Sequence, residues 1–156
     1  MKQAKFFYIF GIVSVVLLFA RCPIEGEQAI LTIKNQSSLE ITTITIWRGT
    51  EALEEAKLKL AEAELNAVRF PPSENALELI VANEKFNEEV TKTCGQAPEI
   101  TDDTGLPVNA IKSWELKSGS IIVRATCGGK PSSPYVVNFG GDHTIRFTGG
   151  KDGEWE

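Results

Sequence analysis

The chain has 156 residues, of which 24 % are charged, and a net charge of -5. That length suits a single domain able to bury a real core. The acidic balance, with no basic stripe between aromatics, argues against a nucleic-acid partner.

The chain opens with Lys2 and Lys5, an apolar run from Phe6 to Ala20, then Arg21 and Cys22. Positive charge translocates poorly, so the lysines hold the N-terminus on the cytoplasmic side. The apolar run is shorter than the roughly 20 residues of a spanning helix, which favours a cleaved leader. The segment Met1–Cys22 resembles the export signal of a bacterial lipoprotein precursor. The resemblance implies cleavage after residue 21 and acylation, for example by palmitate, at Cys22. Arg21 stands where such signals carry a small residue. Two other readings of the segment are an uncleaved anchor with Arg21 snorkelling at the surface and conventional secretion. Loss of Lys2, Lys5 and Arg21 would leave 21 acids against 13 bases, a net charge of -8. Attachment to anionic lipid would then rest on acyl chains rather than on charge. With lipid on Cys22, Cys94 and Cys127 remain as an even pair in an oxidising compartment. A disulfide between them is expected, contributing about 3–4 kcal/mol by loop-closure entropy.

Residues 22–28 read as a short tether, and residues 29–156 as one folded domain. Ala29–Lys34 and Glu40–Trp47 have strand character, rich in β-branched residues, with the turn cluster Asn35–Ser38 between them. They are expected to form a hairpin. Ile44 and Ile46 fall out of phase with Ile41, so either both faces are covered or a bulge shifts the phase.

Glu51–Val68 has neither Gly nor Pro and is rich in Ala, Leu, Glu and Lys, which predicts an inserted helix. Thr50 is its N-cap, Glu55 and Lys59 an i,i+4 pair, and Pro71-Pro72 its stop. Leu58, Ala61, Leu65 and Val68 share one face, which is expected to pack on the sheet. Ala76–Thr93 fits two strands turning at Asn83-Glu84 or a helix, and the alternation favours strands.

Cys94–Asn109 reads as a loop, with Asp102-Asp103 in an Asx turn rather than a calcium site. Ile111–Lys117 with Ser120–Cys127, and Tyr135–Phe139 with His143–Thr148, read as two further hairpins. The expected fold is mainly β, an antiparallel β-sandwich with one inserted α-helix at about 51–68. Leu31–Ser38 and Leu116–Val123 resemble strands of small immunoglobulin-like or prealbumin-like sandwich domains of exported bacterial proteins. That resemblance carries over no catalytic residue.

The candidate chemistry is sparse. His143 is the single histidine and follows Asp142, but no Ser among 118, 120, 132 and 133 lies in G-x-S-x-G. One His and few free thiols do not make a zinc site, and no metal or cofactor is expected. The carboxylate pairs Glu54/Glu55 and Glu88/Glu89 read as solvated faces. Trp47 and Trp114 lie in strands and are expected in the core. Trp155, in the polar tail, is the candidate for a partner contact, either exposed or edge-packed. The reading is a non-catalytic lipoprotein of the cell envelope, exported and lipid-anchored to the cell membrane or outer membrane, with a binding or structural role. The membrane is one partner through the lipid, and a protein or glycan the other. A carbohydrate- or small-ligand-binding module is the alternative, and an enzyme using His143 the third.

Overall fold

A computed structural model describes residues 27–69, 72–149 and 153–156. The leader and Cys22 lie outside these residues. The described chain runs β1 (Gln28–Asn35), β2 (Ile41–Arg48), α1 (Glu51–Arg69), α2 (Pro72–Cys94), β3 (Ile100–Asp102), β4 (Ile111–Lys117), β5 (Gly119–Cys127), β6 (Lys130–Pro131), β7 (Tyr135–Phe139) and β8 (His143–Phe147). The strands form two sheets, one ordered β4-β1-β8 and one ordered β3-β2-β5, with β6 and β7 both pairing with β5. β1 is antiparallel to β4 and parallel to β8. The chain folds into the expected β-sandwich, but the parallel β1–β8 pair corrects the expected all-antiparallel pairing, and two helices are inserted rather than one.

The core lies between the sheets. Leu31, Ile33, Ile145 and Phe147 from one sheet meet Ile41, Ile46, Ile121 and Val123 from the other, all essentially inaccessible to solvent. The phase of β2 is resolved by a register shift between Ile41 and Thr43. That bulge brings Ile41, Ile44 and Ile46 onto the same inner face. Trp47 then points outward, where it packs with Ile122.

The three expected hairpins are corrected. β1 and β2 lie in opposite sheets, as do β4 and β5, and β7 and β8. Each short turn is an arch that carries the chain across the core. A two-residue type I′ hairpin loop needs a pair of residues at positive φ. Gly128 and Gly129 supply it, with φ of 58° and 77°, and there the chain makes a true hairpin between β5 and β6. At Ser118-Gly119 one residue is at positive φ, and at Gly140-Gly141 neither is.

The first arch shows what replaces the hairpin ladder. Asn35 is wholly buried. Its Nδ2 donates to the carbonyls of Leu39 and Leu106, both at 2.9 Å, and its Oδ1 accepts from Ser37 N at 3.0 Å and Ser37 Oγ at 2.7 Å. One side chain thus gives the Ser37 amide its acceptor and adds a second donor to two carbonyls of the crossing chain.

The segment after β2 corrects two further expectations. Residues 76–93 are helical, inside the 23-residue α2. Their buried and half-buried positions, among them Phe86, Val90 and Thr93, recur every three to four residues. The apparent alternation came from residues such as Leu77 and Val81, which face solvent. Pro72 begins α2, where a missing N–H costs nothing. α1 starts as expected, with Leu53 N donating to Thr50 Oγ1. Its buried face is different, however. Leu53, Ala56 and Ala63 are buried, whereas Leu58, Leu65 and Val68 are 62 %, 49 % and 86 % exposed.

Candidate functional site

Two features remain after the core is accounted for, namely the helical hairpin α1–α2 and the cleft at its root. The helices pack chiefly on each other. Their contact with the sandwich is one outer cluster, in which Leu53 and Val90 meet Trp47 and Ile122, with Phe86, Cys94 and Val136 alongside. Among the described residues, α1 after Leu53 and α2 before Phe86 contribute nothing to this cluster. From Leu53 to its last residue α1 is about 24 Å long at 1.5 Å per residue. The seam between the helices uses Ala56 and Ala63, whose small side chains let the backbones approach closely.

Several larger apolar residues of the hairpin face outward, while Leu60 and Leu79 are half-buried. Leu58, Leu65 and Val68 lie along α1, and Leu77, Ile80 and Val81 along α2, at 49 % to 86 % exposure. Ion pairs accompany them. Lys59 Nζ lies 2.6 Å from Glu55 Oε1, and Lys92 Nζ lies 3.0 Å from Glu88 and 2.8 Å from Glu89. The hydrogen bond from Lys59, then its charge, lowers the Glu55 carboxyl below its ordinary range. Of the expected carboxylate pairs, Glu55 and Glu88 are exposed on their helices, whereas Glu54 and Glu89 are half-buried.

The cleft has a volume of about 1060 Å³ and is lined by Trp47, Arg48, Glu51, Gln96, Glu99 and Lys117, among others. Arg48 crosses it. Its Nε and Nη2 each donate to Glu99 at 2.9 Å, and its Nη1 donates to the Lys117 carbonyl at 2.6 Å. This bidentate pair joins the end of β2 to the approach to β3 and to the β4–β5 arch. Ser118 and Ser120 border the cleft, but His143 does not. His143 is exposed on β8, in register with Leu31, in the other sheet.

The sequence-derived candidates fall apart spatially. Asp142 Oδ1 accepts from Ile30 N at 2.9 Å, so it fastens the start of β8 to β1. Ser132 Oγ accepts from Ala125 N and from Trp155 Nε1 and donates to the Ser133 carbonyl. Asp102 Oδ1 accepts from Thr104 N and Oγ1, the expected Asx turn. Lys112 reaches it from β4, with Nζ 2.7 Å from Oδ2, and also contacts Thr104 Oγ1. Burial alone would push the Asp102 carboxyl up. The hydrogen bonds from Lys112 and Thr104, with the Lys112 charge, outweigh it and bring the pKa to about 2. Among the described residues no group of three His, Cys, Asp or Glu could hold a metal ion.

The expected Cys94–Cys127 disulfide is corrected, since both cysteines are free. Cys94 packs with Trp47 and Ile122 on the outer face of its sheet, whereas Cys127 packs against the inner core. Cys127 is also five residues along β5 from Ile122, about 17 Å at strand rise. Disulfide geometry needs Cα atoms within about 7 Å. Burial raises the Cys94 thiol pKa, against the opposing charge of Arg124.

Trp155 is edge-packed. It stacks on Tyr135 at 5.9 Å and meets Phe147 edge-on at 4.9 Å. Its backbone forms a bridge with Phe147, and Glu156 exchanges backbone hydrogen bonds with Arg146. The other tryptophans lie in or against the core, as expected. A cation sits over each, Arg124 over Trp47 at 5.9 Å and Lys112 over Trp114 at 6.0 Å. Sequence reasoning missed the hairpin surface, although its signal was present. In the sequence the apolar row of α1 reads as a face packed on the sheet, and that of α2 as alternating strands.

Among the described residues no helix is long and apolar enough to cross a membrane. No family model matches the chain, and no curated protein does. Among solved structures, the chain is similar to the pilus backbone protein of Streptococcus pneumoniae at 8 % identity and a TM-score of 0.29. That likeness covers 71 % of this chain and 34 % of the other. The chain thus spans about a third of that protein's length, and so low a score bears no weight on function.

Proposed function

We propose that this chain is a non-catalytic, exported protein of the bacterial cell envelope, lipidated at Cys22, whose sandwich carries a helical docking arm. The observation that carries the docking role is the outward placement of Leu58, Leu65, Leu77 and Ile80 on helices whose own seam is closed. Exposed apolar rows on a helix support an interaction role. The leader anatomy before Cys22 supports the anchor. A protein partner is favoured over a glycan, because each tryptophan already has a cation or another ring against it.

Two measurements test the parts separately. Metabolic labelling with radioactive palmitate is expected to mark the native chain and not Cys22→Ser. Equal labelling of both, or none, removes the lipid anchor. A photo-crosslinking residue at position 65 is expected to trap a protein on intact cells, while one at position 143 does not. Equal yields at both sites would remove the docking arm.

A further inference from the structure

We draw no further inference here: the strongest candidate, the cleft at the root of the α1–α2 hairpin, lined by Glu51, Glu54, Glu115 and the buried Ser120, carries nothing, because the unpartnered Ser120 hydroxyl is sealed from solvent and no other feature of the described lining points to a ligand.

Discussion

The sandwich and the hairpin treat apolar side chains in opposite ways. Between the sheets the largest residues, Phe147, Leu31, Ile33 and Ile121, are buried and Ala is a minor filler. Along the hairpin Ala56 and Ala63 are inside, and Leu58, Leu65 and Val68 are outside. Two sheets pack about 10 Å apart and need long side chains to fill that space. Two helices with alanine at the contact come close together, and only some of their leucines are covered. Which residues are buried thus depends on the spacing of the layers as much as on hydropathy. The sandwich buries its binding capacity in its own core, and the hairpin keeps it on the surface.

The strongest way to break this contrast is to attack the sandwich at its one wholly buried polar staple. Asn35→Ala leaves the amide of Ser37 without its acceptor and takes one of two donors from the carbonyls of Leu39 and Leu106, which keep Ser37 Oγ and Ile41 N. Unsatisfied buried groups cost about 1–3 kcal/mol each, offset in part by entering water. A loss of about 3 kcal/mol is expected in urea unfolding followed by circular dichroism. A change under about 1 kcal/mol would show that the arch is not what holds β1 and β2 in opposite sheets.

A smaller effect comes from the edge beside this arch, where Lys112 on β4 and Asp102 on β3 tie an edge of one sheet to an edge of the other. The folded pKa of Asp102, about 2, lies below its ordinary 3.8. The stabilisation is therefore fully present above pH about 4 and is lost as pH falls through about 2. Its size is about 1 kcal/mol once solvent screening of a pair at the surface is allowed for. Lys112→Met should flatten this part of the stability–pH curve. An unchanged acid limb would show that the two edges are held together by other contacts.

Much of the sandwich was legible in the sequence, because strand positions follow from β-branched alternation and turn chemistry. Its pairing was not legible. Asn35–Ser38, Ser118-Gly119 and Gly140-Gly141 all look like hairpin turns. The difference between an arch and a hairpin lies in φ values, which composition does not reveal, and in one buried Asn side chain. The cysteine pair was misjudged for a related reason. Parity counts thiols, but Cys94 and Cys127 lie on opposite faces of one sheet. Helix α1 was legible from its propensities and from Thr50. Helix α2 was masked because Leu77, Leu79 and Val81 alternate by chance along a helix that buries little. The docking surface was the least legible feature, since a 3.6-residue period shows that a face is apolar without showing what covers it.

The smallest expected effect probes that last point most directly. Leu65 is central in the α1 row and would be a core residue if the helix lay on the sheet, where truncation to Ala costs about 2–5 kcal/mol. The structure leaves it 49 % exposed, on the side of α1 away from the alanine seam. Removing a half-exposed leucine leaves no cavity, and Ala has the higher helix propensity, which offsets part of the lost contact. Leu65→Ala is therefore expected to change stability by less than about 0.5 kcal/mol in urea unfolding. Hydrogen exchange adds a second reading, because α1 should keep its protection in the variant. A loss above about 2 kcal/mol would return α1 to the core and remove the docking arm with it. A neutral variant whose cross-linking from neighbouring positions falls would place the leucine's role in binding rather than in folding.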